Sequence, residues 1–394
     1  MPVSSGFRDR IEVMTIYLDN AATSHPKPET VYQAVNEVLR NIGANPGRSG
    51  HRLSLKAEYY LTQTRESLAR LLDIPDPKRI VFTANATESI NLGLKGLLKA
   101  GDGVITSSME HNSVIRPLRF LESKGILVKV VPGDLKGRIK VSEIKKAIDP
   151  NTRLIVLTQA SNVTGGLMPV AEAAELARQK GILMMADAAQ TAGLIPLSLK
   201  EMPIDLLAAP GHKGLLGPQG TGFLVIGPEV NLCPLKEGGT GSRSEEEIQP
   251  DFLPDQMESG TLNTPGLAGL GAGVEFILKQ GLSSIREKEV SLSRMVWEGL
   301  RKIKAVELYG PEAAEERIAV VSFNIKGLNP NLVASILDTA YDIAVRAGLH
   351  CAALAHRTLG TFPEGTVRVS PGFFNREEEI EDLIRAVSEI AGKV

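Results

Sequence analysis

The chain has 394 residues, of which 43% are hydrophobic and 23% are charged, and its formal net charge is −2. This composition is that of an ordinary globular protein, and the length exceeds the range over which one hydrophobic core usually grows, so we expect two domains. The near-neutral charge disfavours nucleic-acid and membrane partners. The two cysteines form no CxxC pair, so we predict no structural zinc. Because the sequence shows no signal segment and no long apolar run, we predict a cytoplasmic protein.

Short apolar runs alternate with amphipathic segments over the first two thirds of the chain. The amphipathic segments, such as 88–101 and 169–181, end on glycine, as helices often do. This alternation predicts a mostly parallel sheet covered by helices on both faces. The predicted strands are the seven apolar runs 79–83, 103–108, 126–131, 153–159, 182–188, 204–209 and 222–227.

The pattern changes after about residue 228. Residues 238–266 are rich in glycine, proline and acidic residues, without an apolar period, and are predicted to form a long irregular connection. From residue 267 onward, helical patterns dominate and strands are predicted only at 317–325 and 366–370, which indicates a smaller α+β domain. We therefore predict a large domain over residues 16–266, with an N-terminal arm over residues 1–15, and a small domain over residues 267–394.

Five polar segments follow predicted strands, at the sheet edge where open α/β sheets bind ligands. In the first of these segments, Asn85 and Glu88 have the spacing of a capping box that begins a helix. The free N–H groups near Ala86 and Thr87 then suit a phosphate. Most capping boxes only cap a helix, so this segment alone leaves phosphate binding open.

The next three segments each contain a polar residue that allows two interpretations. His111 is either a catalytic ring or a packed surface residue, and Asn162 is either a ligand contact or part of a turn. Asp187 ends a strongly apolar strand, where a carboxylate is costly unless it caps a helix or meets a cation such as a protonated ring nitrogen. Gln190 lies three residues further on, on the same face if a helix begins at once.

The fifth segment, AAPGHKGLLGPQGTG, surrounds Lys213 with glycines. It matches neither the phosphate loop, because no Ser or Thr follows the lysine, nor the dinucleotide fingerprint. An exposed lysine is the common alternative, but a lysine buried beside glycines loses its proton more easily and can form a Schiff base. Together, the five segments supply the phosphate, ring and amine contacts that pyridoxal 5′-phosphate requires.

The segment RAGLHCAALAH contains one of the two cysteines. Cys351 is a candidate metal ligand, reactive thiolate or small apolar residue, and the lack of a second thiol nearby argues against the metal. Only the thiolate is a nucleophile, so His350 or His111 could assist by taking the proton. His356 has no assigned role. Cys233 lacks such neighbours and is interpreted as a small apolar residue.

Eight segments occur in the order YLDNAATSHPKP, FTANATESIN, MEHNSV, SNVTGG, DAAQ, GHKGLLGPQGTG, SGTLNTPGLAGLG and RAGLHCAALAH. They resemble the cysteine desulfurase and selenocysteine lyase group of the class V aminotransferase fold, over residues 16–376. The resemblance implies a pyridoxal-phosphate-dependent transferase of fold type I, with a mostly parallel seven-stranded sheet in the large domain and a smaller α+β C-terminal domain. It also implies a homodimer.

The resemblance implies a role for each candidate residue. Lys213 would hold pyridoxal phosphate covalently, Asp187 would pair with the protonated ring nitrogen, and His111 would stack on the ring. Asn162 and Arg368 would bind the substrate carboxylate, the arginine in bidentate geometry. Arg346 would be a further substrate-binding residue near the reacting groups. The remaining roles would fall to Gln190 at the phenolic oxygen, Ala86, Thr87 and His212 at the phosphate, and Thr261 of the partner subunit at the same phosphate.

The implied reaction converts L-cysteine to L-alanine and leaves a persulfide on Cys351, with Gly348 allowing the loop to move. The alternatives are selenocysteine lyase, another class V reaction such as transamination or C–S bond cleavage, and a catalytically silent scaffold for a sulfur carrier. The sulfur acceptor would be a protein or a small thiol. Two features depart from the family pattern: Pro210 replaces a Ser or Thr that contacts the phosphate, and AALAHRTLG replaces Ala-x-Pro after the cysteine.

Overall fold

The computed structural model describes residues 15–47 and 50–393. Of the expected N-terminal arm over residues 1–15, only Thr15 lies within the described residues. The described strands are β1 (Ile16–Tyr17), β2 (Ile80–Thr83), β3 (Gly103–Ser107), β4 (Leu127–Val131), β5 (Thr152–Thr158), β6 (Leu183–Asp187), β7 (Leu206–Pro210), β8 (Gly222–Ile226), β9 (Val306–Tyr309), β10 (Val321–Ile325), β11 (Ile343–Ala344), β12 (Arg346–Gly348) and β13 (Thr366–Val369). The described helices are α1 (Glu29–Glu37), α2 (Arg52–Leu72), α3 (Ala86–Leu97), α4 (Asn112–Glu122), α5 (Val141–Ala147), α6 (Val170–Lys180), α7 (Thr264–Gln280), α8 (Leu282–Leu300), α9 (Pro330–Tyr341), α10 (Ala353–Leu359) and α11 (Glu377–Ala391).

All seven strands predicted in the first two thirds of the chain form one sheet. Its order is β2-β8-β7-β6-β5-β3-β4. The neighbouring pairs from β7 to β4 are parallel, and β8 is antiparallel to both of its neighbours. The predicted α/β class with a mostly parallel seven-stranded sheet is therefore confirmed.

The apolar sequences of these strands reflect burial on both faces of the sheet. Every residue of β3, β7 and β8 is buried, and the two faces carry separate hydrophobic clusters. The edge strand β4 differs, because it has a neighbouring strand on one side only. Of its five residues only Val131 is buried, and Leu127 is exposed.

A second, four-stranded antiparallel sheet has the order β12-β13-β10-β9. Its core includes buried residues of α8, α9 and α11, which agrees with the predicted α+β character of this region. Leu18 packs in this core, whereas α7 packs Leu267 and Leu270 on the large sheet. The division into residues 16–266 and 267–394 stays a prediction.

The strand predicted over residues 317–325 is shorter in the structure. It begins only at Val321, because the residues before it contact the loop after β5 instead of the second sheet. Arg317 forms an isolated bridge with Gly166, and the N–H of Ile318 donates to the Gly165 carbonyl oxygen at 2.9 Å.

The segment over residues 238–266 is irregular up to Asn263, as predicted. Side chains hold it internally and against α2: Gln249 donates to the Gln256 carbonyl oxygen at 3.1 Å, and Glu258 forms a buried ion pair with Arg65 of α2. No helix within residues 15–47 and 50–393 has the length and apolar content that crossing a bilayer requires.

Candidate active site

The carboxyl ends of the parallel strands bring several predicted site residues to one edge of the large sheet. Asp187 ends β6, and Thr158 of β5 is its register partner. His111 lies just before α4, which follows β3, and Lys213 lies three residues beyond the end of β7. Parallel strands end on the same side, so the order of these residues in the sequence becomes one cluster in space. We call Asp187, His111 and Lys213 the cofactor edge.

Asp187 is a buried carboxylate, with 2% of its surface exposed. Its Oδ1 accepts a hydrogen bond from the Ala189 N–H at 2.9 Å, and no cation lies within ion-pair distance among the described residues. Burial raises the pKa of this carboxyl group, while the Ala189 hydrogen bond and the Lys213 charge lower it. A buried acid with free acceptor capacity suits a positively charged ring N–H.

Lys213 combines a partly buried side chain with a cationic surrounding. Burial, with the charges of Arg368 and Arg346, lowers the pKa of Lys213 to about 8, against the opposite effects of Asp187 and Asp19. A lower pKa increases the fraction of the neutral amine, which is the nucleophilic and basic form.

His111 begins α4 as its N-cap. Its Nδ1 accepts a hydrogen bond from the Ser113 N–H at 3.0 Å, so Nδ1 carries a lone pair and the ring hydrogen lies on Nε2. Burial lowers the pKa of His111 to about 4, followed by the charges of Lys213 and Arg346. The ring is therefore neutral at pH 7, which suits a stacking ring that lies among cationic side chains.

The start of α3 has the predicted capping arrangement. The Asn85 side chain accepts from the Glu88 N–H at 3.0 Å, and Glu88 accepts from the Ala84 N–H at 2.6 Å. The N–H groups of Ala86 and Thr87 have no intrahelical acceptor at this position, and no other acceptor for them is found in the described part of the chain. They remain available for an anion at a helix N-terminus.

His212 adds a second polar group at this end of the site. Its Nδ1 is buried without a hydrogen-bond partner among the described residues, and burial lowers its pKa to about 4. Pro210 ends β7 opposite Gly222 and supplies no hydroxyl group. Lys27 donates from Nζ to the His212 carbonyl oxygen at 2.8 Å, and burial lowers the pKa of Lys27 to about 8. Sequence analysis quoted the segment of Lys27 but gave this residue no role.

Two predicted cofactor contacts differ in their placement. Gln190 is buried beside the loop that follows β1, where its Nε2 donates to the Ala21 carbonyl oxygen at 3.0 Å. Thr261 is exposed, and no described contact of this chain joins it to Lys213 or His212. A role for Thr261 at the phosphate therefore stays a prediction that depends on a second subunit.

Arg368 and Asn162 lie together between the two sheets. Arg368 is 1% exposed; it donates from Nη2 to Asp19 at 2.6 Å and from Nη1 to the Asn162 carbonyl oxygen at 3.1 Å. Its Nε has no partner among the described residues. Asp19 lies in the YLDNAA segment, but nothing in its local sequence indicates this contact. Because both Nη atoms already donate, a bidentate contact with a substrate carboxylate needs their remaining hydrogens.

Cys351 lies in a strained turn over residues 348–352, which we call the cysteine turn. His350 and Cys351 both have left-handed backbone, with φ of 47° and 57°. The Asn112 N–H donates to the Cys351 carbonyl oxygen at 2.7 Å, which places this turn directly beside His111. Cys351 is exposed, and Arg346 Nη2 lies 3.6 Å from its Sγ.

The structure changes two interpretations of the sequence. His350 is buried, with its Nε2 3.1 Å from the Thr366 carbonyl oxygen, and burial together with the Arg368 charge lowers its pKa to about 2. It therefore provides no positive charge for the thiol, and the cation at Sγ is Arg346. Cys233 is exposed, so its interpretation as a small apolar packing residue is wrong.

Glu110 is a further residue that sequence analysis left without a role. It is 0% exposed and accepts from the Ser107 hydroxyl at 2.6 Å and from the Thr158 N–H at 2.8 Å, so it joins the ends of β3 and β5 under the cofactor edge. Burial, with the negative charge of Asp187, raises the pKa of Glu110 to about 8. The carboxyl group is therefore protonated at pH 7.

Comparison with known families identifies the fold. The family model described as Aminotransferase class-V matches residues 16–383. The chain belongs to this family. The class V resemblance read from eight sequence segments, and the fold type that it implied, are thereby confirmed.

Relatives within the class V family carry a common name. A "Probable cysteine desulfurase" of Methanothermobacter thermautotrophicus is 36% identical over 96% of this chain and 95% of its own length. A "Cysteine desulfurase" of Salmonella agona is 32% identical over 95% and 93%. Among solved structures, the apo cysteine desulfurase of Thermococcus onnurineus has a TM-score of 0.89 at 35% identity, covering 96% of this chain and 95% of that one. The Escherichia coli cysteine desulfurase CsdA, in an S-sulfonic acid form, has a TM-score of 0.86 at 30% identity, with the same coverage.

The residues present fit the cofactor that a class V enzyme uses. The buried carboxylate of Asp187 has no cation, the Lys213 amine is easily deprotonated, and the start of α3 has free N–H groups. The unpartnered Nδ1 of His212 adds a polar atom at the same edge. These features match a cationic ring nitrogen, an aldehyde and a phosphate.

Proposed function

We propose that this chain is a pyridoxal-phosphate-dependent cysteine desulfurase, which converts L-cysteine to L-alanine and leaves the sulfur as a persulfide on Cys351. The observation that carries the proposal is the placement of an exposed cysteine beside His111, through the hydrogen bond between the Asn112 N–H and the Cys351 carbonyl oxygen. The names of relatives that match nearly the whole chain support it.

Pyridoxal phosphate supplies an electron sink that weakens bonds at the α-carbon of an amino acid. Asp187 would hold its ring nitrogen, His111 would stack on its ring and Lys213 would attach it covalently. The phosphate would be held by the N–H groups of Ala86 and Thr87 with His212, and by Thr261 of the partner subunit, while Gln190 would contact the phenolic oxygen.

The substrate carboxylate would lie against Arg368 and Asn162, whose positions are fixed by Asp19 and by the His350 carbonyl oxygen. The Lys213 amine would take the α-proton of a substrate held at this edge. A pKa of about 8 leaves roughly a tenth of this amine neutral at pH 7, far more than an ordinary lysine would have.

The sulfur step follows from the position of Cys351. Its thiolate attacks the substrate sulfur and forms an S–S bond while the C–S bond breaks. The electron pair of that bond passes to the β-carbon, which takes a proton and becomes the methyl group of alanine, and the α-carbon regains the proton that Lys213 took. Arg346, at 3.6 Å from Sγ, stabilises negative charge on the attacking and the resulting sulfur.

Replacement of Cys351 by alanine tests the proposal. The variant should lose persulfide formation and desulfuration of L-cysteine while keeping the visible absorbance of bound cofactor. Full turnover of L-cysteine by Cys351→Ala would refute the nucleophilic role. L-Selenocysteine should be assayed in parallel, because turnover of it that survives the substitution would favour a selenocysteine lyase instead. A Cys233→Ala variant is the matched control.

The proposal includes a homodimer, because a contact of Thr261 with the phosphate requires a second copy of the chain. Light scattering of the purified protein tests this, and a Thr261→Val variant should weaken cofactor binding if the dimer forms. The sulfur acceptor would be a protein or a small thiol that reaches the exposed Cys351. A cytoplasmic location also stays part of the proposal.

A further inference from the structure

His356 is a buried polar residue that the proposed chemistry does not use. It lies in α10, five residues after Cys351, and 0% of its surface is exposed. Its Nδ1 lies 2.7 Å from the Thr361 hydroxyl oxygen, whereas its Nε2 is buried without a partner among the described residues. Because an unpaired buried polar atom is costly, this nitrogen requires an explanation.

His350 has the complementary deficit. Its Nε2 lies 3.1 Å from the Thr366 carbonyl oxygen, which only accepts, so the ring hydrogen lies on Nε2. Its Nδ1 is then an acceptor, and this atom too is buried without a partner in the described part of the chain. Nδ1 of His350 therefore lacks a donor, and Nε2 of His356 lacks a partner among the described residues.

The two rings are close enough to satisfy each other. Their centroids are 5.5 Å apart, with an angle of 44° between the ring planes. At this separation, two ring nitrogens that face each other come within hydrogen-bond distance. The Thr361 hydroxyl has two acceptors, Nδ1 of His356 at 2.7 Å and the His356 carbonyl oxygen at 3.4 Å; when it donates to the nearer one, His356 carries its hydrogen on Nε2.

We propose that His356 is a positioning residue for Cys351: Thr361 donates to its Nδ1, and its Nε2–H donates to Nδ1 of His350. The ring of His350 in turn donates from Nε2 to the Thr366 carbonyl oxygen. The result is a chain of three hydrogen bonds, from Thr361 through both rings to Thr366, in which each bond uses one hydrogen. The chain joins α10 to β13 through the residue that precedes the nucleophile. The inference rests on the proposed function, because the position of the thiol matters only if Cys351 reacts.

The cysteine turn needs such support. Two consecutive left-handed residues other than glycine cost about 1 kcal/mol or more each, so the turn relaxes unless its neighbours fix it. Hydrogen bonds from Asn162 and Asn112 hold the carbonyl groups of His350 and Cys351. The His350 side chain is the link from this turn to β13, and its ring depends on His356 for a donor.

Both rings are suited to a neutral chain. Burial, with the charges of Arg368 and Arg346, lowers the pKa of His350 to about 2. Burial lowers the pKa of His356 to about 4, and a backbone hydrogen bond with Leu349 opposes this shift, so Leu349 is the competing acceptor for the His356 ring hydrogen. Neither ring therefore gains a second hydrogen at neutral pH, and the direction of each hydrogen bond is preserved.

Nitrogen NMR of the wild-type holoenzyme, labelled at histidine, tests the tautomers directly. His356 and His350 should both carry their hydrogen on Nε2, with shifts that stay constant between about pH 6 and pH 8. Variants His356→Gln and His350→Gln identify the two signals among the six histidines. A hydrogen on Nδ1 of His356, or a charged ring, would overturn the proposal without any reference to activity.

Substitutions at Thr361 test the consequence for the turn. Thr361→Val removes the hydroxyl, so the Ala352 amide, which donates to the Leu349 carbonyl oxygen at 2.8 Å, should exchange its hydrogen about tenfold faster. Single-turnover transfer of sulfur to Cys351 should slow about tenfold, while KM for L-cysteine stays unchanged. Thr361→Ser keeps the hydroxyl and should restore both rates.

Unchanged exchange at Ala352 in Thr361→Val would contradict the positioning role, and so would an equal defect in Thr361→Ser. Amides of α11, whose Ile380 and Leu383 lie in a different hydrophobic cluster from Ala352, serve as the control for global unfolding. If the wild-type enzyme made no alanine and no persulfide, the proposed function would fail, whereas the tautomers would still decide whether the hydrogen-bond chain exists.

Discussion

The cofactor edge and the cysteine turn hold their reactive groups in opposite ways. Asp187, His111 and Lys213 lie at or just beyond the ends of buried strands, and burial is the largest cause of the pKa shift of each. Cys351 is exposed, and its place depends on a left-handed turn that hydrogen bonds fasten to neighbouring elements. Desolvation thus shifts the pKa values of the groups at the cofactor edge, whereas backbone geometry positions the thiol of the cysteine turn.

This difference predicts two kinds of defect. Damage at the cofactor edge should remove cofactor attachment and therefore every later step. Damage at the cysteine turn should spare cofactor binding and the Arg368–Asp19 pair, which lie on other elements, and should act mainly on the transfer of sulfur. Each prediction below tests one side of this contrast.

Lys213→Arg should have the largest effect. Arginine stays protonated in proteins, so it can neither attach the cofactor nor take the α-proton. We expect covalent attachment to disappear and alanine formation to fall by about 10³-fold or more. Borohydride reduction followed by mass spectrometry measures the attachment, and chromatography measures alanine.

Lys27→Arg is the matched control for that experiment. Lys27 is also a partly buried amine whose pKa is lowered to about 8, but it donates to the His212 carbonyl oxygen and to Ser24. Covalent attachment should persist in this variant. Attachment in Lys213→Arg, or its loss in Lys27→Arg, would show that the assignment of the reactive lysine is wrong.

The sequence predicted the large sheet well, because its evidence is local. Seven apolar runs became seven strands, and polar residues at their ends were expected to meet because parallel strands end on one side. Asp187 is an example: the apolar residues of its own strand are enough to predict that burying its carboxylate is energetically unfavourable unless the group is paired. The roles assigned to these residues came from the family resemblance and stay predictions.

The remaining features depend on contacts between segments that are distant in sequence. Asp19 meets Arg368 across 349 positions, and nothing near either residue indicates the other. His350 looked like a thiol partner because it precedes Cys351, yet the left-handed turn directs its ring to Thr366 instead. The strand predicted at 317–325 was shortened for a similar reason, since Ile318 bonds to a loop after β5.

Arg346→Met should have an intermediate effect, confined to the cysteine turn. It removes the cation at 3.6 Å from Cys351 Sγ, and a partly exposed contact of this kind contributes about 1 kcal/mol. Sulfur transfer in a single turnover should therefore slow about fivefold, with cofactor absorbance and KM for L-cysteine unchanged. The defect should shrink at high salt, which screens the wild-type contact.

Arg357→Met is the control for loss of a nearby positive charge, because Arg357 stacks on Phe362 and not on the thiol. Its rate of sulfur transfer should equal that of the wild type. A fivefold loss in this variant as well would mean that Arg346 acts through the general positive field and not through its contact with Sγ.

Glu110→Gln should have the smallest effect on activity and a clear effect on stability. Glutamine can accept from the Thr158 N–H and donate to the Ser107 oxygen, so it mimics the protonated acid, and turnover at pH 7 should change less than about twofold. Because burial raises the folded pKa of Glu110 to about 8 from an ordinary 4.5, the folded state keeps a proton that the unfolded state releases over this range. The contribution of Glu110 to stability is thus complete below about pH 4.5 and is lost as pH rises to about 8, at up to about 1.4 kcal/mol per pH unit.

Urea unfolding of both proteins between these pH values measures the difference. The variant should lack this part of the pH dependence, so its stability relative to the wild type should rise steadily with pH. Glu377→Gln, at an exposed residue in the first turn of α11, should leave the pH dependence unchanged. Parallel curves for Glu110→Gln and the wild type would mean that the acid is ionised beneath Asp187, and that the cofactor edge holds two negative charges where the structure indicates one.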